Sequence, residues 1–187
     1  MAANAPRVAP LKPDEWDDEV REILQASQMG GRVLNIFATL ARHPKLLKRW
    51  LVFGNHVLFK STLSPREREL LILRTGWNCR AEYEWGQHVL IGKQVGISDD
   101  EIERLTRGPD APGWTPLEVL LLRAADELHR DSRIGDATWS ALSQHYNTQQ
   151  LLDVVFTVGQ YTLVSMALNS CGVQLDEGIA GFPARPA

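Results

Sequence analysis

Three ionisable residues fall where a helical repeat calls for apolar ones: Glu69, Glu84 and His88. They lie in SPRERELLILRTGWNCRAEYEWGQHVLIGKQV, residues 64–95, which reads as two helices in tandem. Glu69 shares a face with Ile72, Leu73 and Gly76 by the i+3, i+4, i+7 rule. Ala81, Glu84, His88, Ile91 and Val95 form one stripe of the second helix, and Glu82, Gly86 and Lys93 its opposite side. Glu84 and His88, one turn apart, therefore face the interior or a cleft. An ionised group there is costly unless paired. Burial raises a carboxyl's pKa and lowers an imidazole's, while their mutual attraction does the reverse. Groups in that balance can donate and accept protons near neutral pH. The plainer reading is a satisfied helix contact, and Glu69 on the preceding helix weighs against it.

The elements that must position these residues carry clear punctuation. Ser64-Pro65-Arg66-Glu67 is a capping box with proline at the first helical position, and Asn78 is a good N-cap for the second helix. Before them, helices fit Pro13 to Ser27, Asn35 to Arg42 and Pro44 to Phe59, with Gly30-Gly31 and His43-Pro44 as breaks. After them, capping boxes at Ser98 and Thr115 open helices running to about Arg107 and His129. Asp136 caps another helix to about Tyr146. The last, Thr148 to Asn169, is apolar almost all round, which predicts a central or shared position. Its polar residues Gln160, Tyr161 and Asn169 read as buried and hydrogen-bonded for packing. No segment alternates with strand period, so the fold class is all-α.

The chain's 187 residues suit one domain, about 13–178, between an N-terminal arm (1–12) that orders only against a partner and an irregular tail (179–187). Hydrophobic content of 44% with 23% charged residues is that of a globular domain. A net charge of −3 without a basic block argues against nucleic acid. No transmembrane span and no signal peptide are read, which leaves a cytoplasmic protein with no membrane partner. Cys79 and Cys171 are too few and too far apart for a zinc cluster, and Glu84 with His88 supplies only two ligands, so no metal is expected. Most of the six tryptophans read as core or interface anchors.

The run ELLILRTGW from Glu69, the block EYEWGQHVLIGKQVGISDDEI from Glu82 and the preceding LARHPKLLKRWLVFG together resemble the carboxymuconolactone decarboxylase family, which includes the alkylhydroperoxidase D-like proteins. The similarity covers about residues 30–175 and is strongest over 64–102. It implies an alkylhydroperoxidase D-like helical bundle and a homo-oligomer, trimer or hexamer. The peroxidase members' pattern, Glu-x11-Cys-x2-Cys-x3-His, falls on Glu69 and His88, but Ala81 and Glu84 stand at the cysteine positions. A two-thiol peroxide cycle is therefore excluded. The decarboxylase branch implies cofactor-free acid/base chemistry, decarboxylation or isomerisation, on a small lactone or organic acid, as in aromatic catabolism. Glu69, Glu84 and His88 then form the catalytic relay, with Tyr83, Trp85 and Cys79 at the substrate. Arg74, Arg42 and His56 are the candidate cations for an anionic substrate. Two rival readings stand beside it: a thiol-dependent peroxidase using Cys79, its pKa lowered at a helix start, and a non-catalytic oligomeric binding protein.

Overall fold

The computed structural model describes residues 5–28 and 30–183; the ends of the expected arm and tail, 1–4 and 184–187, lie outside them. Nine α-helices and no strand occur among the described residues: α1 (Asp18–Ala26), α2 (Asn35–Leu40), α3 (Pro44–Phe59), α4 (Pro65–Asn78), α5 (Glu82–Gln94), α6 (Asp99–Arg107), α7 (Pro116–Asp131), α8 (Asp136–Leu142) and α9 (Thr148–Cys171). The helix starts follow the local chemistry. Ser64, Ser98 and Thr115 each accept from the backbone N–H three residues on, while Glu67, Glu101 and Glu118 reach back to complete the boxes. Arg66 ties three of these starts together, donating to Glu101 at 2.5 Å and Glu118 at 2.7 Å. Its guanidinium, against some burial, pulls the Glu101 carboxyl down to about 2.

Several boundaries differ from the sequence reading. Pro13–Glu15 is a separate 3-10 turn, because the Asp17 side chain accepts from Val20 N at 2.8 Å and starts α1 anew. Asp136 does not cap α8; Gly135 does, while Asp136 pairs with Arg133 at 2.8 Å. Asn78 does not open α5 either. It closes α4, donates to Asp126 at 2.7 Å, and α5 begins only after Ala81.

The central element is α4, not α9. Residues 68–73 of α4 are buried without a break, and α5, α6, α7 and α9 pack around it. Burial on every side explains its continuous apolar run. The apolarity of α9 has another cause: Val154, Val158 and Val164 face the core, while Phe156, Leu163 and Met166 are exposed. By length and mean hydropathy (1.5) alone α9 is apolar enough to cross a membrane, yet half of that stretch is buried inside this bundle.

The N-terminal arm, expected to order only on a partner, is held by its own chain. Arg7 and Val8 N–H groups donate to Cys171 O at 2.8 and 3.0 Å, and Leu11 N to Ala38 O at 3.0 Å. The tail is irregular after α9 and crosses the back of α5, where Phe182 packs on Trp77 and Trp85. Gly86 permits that crossing. A Cβ there would stand 2.5 Å from Ala180 O and 2.7 Å from Ile179 Cγ2. Gly86→Ala is expected to lift the tail and cost about 1–3 kcal/mol, as overpacking does, read by urea unfolding and faster proteolysis of residues 175–183. An unchanged unfolding midpoint would show that the tail contributes nothing to stability.

Candidate active site

The spacing of α4 and α5 brings the three sequence-marked residues together. Glu69 is 0% exposed, and its Oε2 lies 2.7 Å from His88 Nδ1. His88 Nε2 lies 3.0 Å from Glu84 Oε1, one turn back on α5. Both ring nitrogens are thus engaged by carboxylates, the arrangement of a doubly donating imidazolium. Burial opposes that charge, but Glu69 and then Glu84 outweigh it and push His88 up to about 10.

A fourth member was not legible. Arg68, also buried, donates from Nε and Nη2 to Glu69 Oε1, both at 3.1 Å. Adjacent helical residues point about 100° apart, so i,i+1 spacing carries no signal of pairing; only the reach of the arginine side chain makes the contact. The result is a chain of alternating charge, Arg68, Glu69, His88, Glu84, with a formal sum of zero. Such a chain meets the requirement that buried charges be paired.

Glu84 and His88 open onto a cavity of about 90 Å³ between α3, α5 and α9, walled by Ile36, Trp50, Leu58, Ile91 and Val164. Glu69 does not reach it and stands behind His88. The second carboxylate oxygen of Glu84 has no protein partner among the described residues. Tyr161 stacks edge-on against His88, ring centroids 4.9 Å apart. Burial, then Glu84 and Glu69, raise the Tyr161 hydroxyl's pKa well above its ordinary value, so it remains a neutral donor. Gln160, 4% exposed, lines the same cavity. Contrary to the sequence reading, neither Gln160 nor the Tyr161 hydroxyl has a hydrogen-bond partner among the described residues. Asn169 differs: it is exposed and donates to Cys79 O at 2.9 Å.

The residues expected at the substrate separate. Tyr83 lines the cavity, donates to Asp176 Oδ2 at 2.5 Å and accepts from Ile36 N, tying the tail and α2 to the cavity wall. Trp85 is off the cavity, packed with Leu70, Leu73 and Ile97. Cys79 is also absent from its lining. It caps the C-terminal end of α4 instead of starting α5, and burial pushes its thiol up, with Thr162 and Ser165 opposing. A helix C-terminus disfavours a thiolate, so the expected activation is reversed. Arg74 is held by Asp126 at 2.6 and 2.8 Å, and Arg42 by Ala9 O and Glu15. His56 is exposed, and none of these three lines the cavity. Among the described residues no group of three His, Cys, Asp or Glu converges as a metal site.

Residues 44–127 match the model of the carboxymuconolactone decarboxylase family. No curated protein matches the sequence. Among solved structures the fold is shared with the alkylhydroperoxidase AhpD core protein of Ralstonia eutropha JMP134, an uncharacterized peroxidase-related protein (20% identity, TM-score 0.81, covering 94% of this chain and 95% of that one). A second uncharacterized peroxidase-related protein, from Silicibacter sp. TM1040, is 19% identical with a TM-score of 0.79 over 94% and 92% of the chains. The debrominase Bmp8, solved with 2,3,4-tribromopyrrole, is 10% identical with a TM-score of 0.78 over 94% of each chain. The family match over residues 44–127 thus falls on α3 to α7, the stretch that holds Glu69, Glu84 and His88, within an all-helical AhpD-like fold.

Proposed function

We propose that this chain is a cofactor-free acid/base enzyme that moves a proton on a small lactone or related organic molecule, by isomerisation or decarboxylation, of the kind met in breakdown of aromatic compounds. The observation that carries it is Glu84: a buried carboxylate facing a cavity, one oxygen on His88 and the other without a protein partner. Glu84 is the base and then the acid. His88, Glu69 and Arg68 hold its charge and orientation through three successive contacts of 3.0, 2.7 and 3.1 Å. A preorganised polar surround of this kind lowers the cost of charge moving during the reaction.

The test is solvent exchange. Wild-type protein in deuterium oxide, without added cofactor, is expected to place deuterium into at least one member of a panel of small lactones and cyclic ketones, read by proton NMR. No incorporation across the panel counts against the proposal. The thiol-peroxidase alternative gains no support from the raised Cys79 thiol. Peroxide and a dithiol reductant should be consumed no faster with the protein than with Cys79→Ser.

The active unit is proposed to be a cytoplasmic homo-oligomer, trimer or hexamer. Val52 (73% exposed) and Phe59 on α3 and Phe156, Leu163 and Met166 (63%) on α9 support it, with Phe53 and Phe156 in edge contact between the two helices. Exposed apolar side chains gathered on neighbouring elements mark interaction surfaces. Light scattering should give a multiple of the 21.0 kDa chain mass, falling to one chain for Phe156→Glu combined with Met166→Glu. A monomeric wild type ends this part of the proposal.

A further inference from the structure

Resting on the acid/base reading, and narrowing it to isomerisation because decarboxylation needs a carboxylate substrate, we propose that the cavity takes an uncharged cyclic carbonyl compound, its oxygen held by the Gln160 amide and the Tyr161 hydroxyl. Two independent observations lead there. The first concerns charge. Among the described residues no arginine or lysine lines the cavity, and the only ionic side chains that do are Glu84 and His88. Both nitrogens of His88 already face carboxylates, and Arg68 lies behind on Glu69. A carboxylate ligand would enter a largely apolar cleft beside Glu84 with no cation to pair it, which is the costly arrangement for a buried charge.

The second observation concerns unmet polarity. Gln160 and Tyr161 are 4% and 6% exposed, line the cavity, and lack hydrogen-bond partners among the described residues. Buried polar side chains without protein partners are rare and ask for a ligand or water. Gln160 Nε2 and the Tyr161 O–H are neutral donors, and a carbonyl oxygen is the acceptor that satisfies both. The size agrees. The cavity, about 90 Å³, is smaller than the roughly 150 Å³ known to hold benzene in another protein, which favours a five-membered ring.

The step then balances without a co-reactant. Glu84 takes a proton from the carbon beside the carbonyl, and the C–H electron pair moves to form an enolate. Its oxygen accepts from Gln160 and Tyr161, as in an oxyanion hole. Protonated Glu84 returns the proton to the same carbon or to a conjugated one, giving exchange or double-bond migration.

Binding tests this without turnover. Saturation-transfer NMR on the full chain would compare cyclopentanone, cyclopent-2-enone and γ-butyrolactone with cyclobutanecarboxylate and with methylenecyclopentane, which keeps the ring and lacks the oxygen. The carbonyl probes are expected to bind and the carboxylate to fail. Gln160→Leu and Tyr161→Phe should each weaken the carbonyl probes roughly 5- to 10-fold, the worth of one neutral hydrogen bond, and leave methylenecyclopentane unchanged. Glu84→Gln should admit the carboxylate. Carboxylate binding to wild type as tightly as the ketones, no carbonyl binding at all, or equal losses for carbonyl and methylene probes would overturn the proposal. Carbonyl binding with no deuterium exchange instead leaves this ligand class standing and removes the proton-transfer reading.

Discussion

Glu84→Gln is expected to lower the rate of solvent exchange or turnover by about 10²–10⁴-fold, the usual worth of a positioned general acid or base. The amide keeps the shape of the carboxyl and can still accept from His88 Nε2, 3.0 Å away in the wild type. It cannot take a proton. The loss should therefore appear in kcat, with KM for a carbonyl substrate changed little, and the far-ultraviolet circular dichroism of the helices should be unchanged. Glu84→Asp draws the carboxyl back by one methylene and should recover only part of the rate. A Glu84→Gln protein with full activity on any identified substrate would remove Glu84 from the chemistry. An inactive protein that has also lost its helices would say nothing of catalysis, and Glu84→Asp then carries the test through its own kcat.

The second large effect is on stability and has a defined pH window. His88 is raised from an ordinary value near 6.5 to about 10. A group raised on folding lends stability that is complete below the unfolded pKa and is lost as pH climbs through the folded one. Wild-type stability is therefore expected to fall between about pH 6.5 and pH 10, by up to about 1.4 kcal/mol per unit from this residue. Urea unfolding across that range measures it. Glu69→Leu removes the carboxylate between Arg68 and His88 and leaves two cationic groups buried together. Loss of one partner from a buried ion cluster costs about 3–5 kcal/mol. The variant should show that loss near neutral pH and a flattened slope above it, because its His88 no longer gains Glu69's attraction. A wild type whose stability does not change between pH 7 and 9.5 would mean that His88 is uncharged in the fold.

Most of what positions the site is readable from particular residues. Ser64, Ser98 and Thr115, each with its glutamate three residues on, gave three helix starts because a capping box is a local device. Glu69, Glu84 and His88 were visible because period 3.6 places them on apolar faces. Their mutual contacts were not, since the distance between α4 and α5 depends on everything packed around α4. Arg68 escaped for the reason that its partner is its own neighbour. Gln160 and Tyr161 stood out as polar residues in an apolar helix, but hydrogen-bond satisfaction is a tertiary property and the default of a packed, paired side chain was wrong for both. Cys79 shows how far a boundary error can travel. Moving one helix start from Asn78 to Glu82 turned a supposed activating dipole into a deactivating one.

The crossing of the tail over Gly86 also makes the pocket sensitive to proteolysis far from it in sequence. Proteolytic removal of residues 173–183, which follow α9, leaves α1 to α9 in the chain. Asp176 is then missing from Tyr83, Gln87 and the Asn35 backbone, three bonds of 2.5, 2.8 and 2.9 Å. The clipped bundle thus has an unlatched cavity wall, and the Trp77–Trp85 pair stands without Phe182. A chain cut after α9 therefore carries every acid/base residue and still lacks a finished pocket.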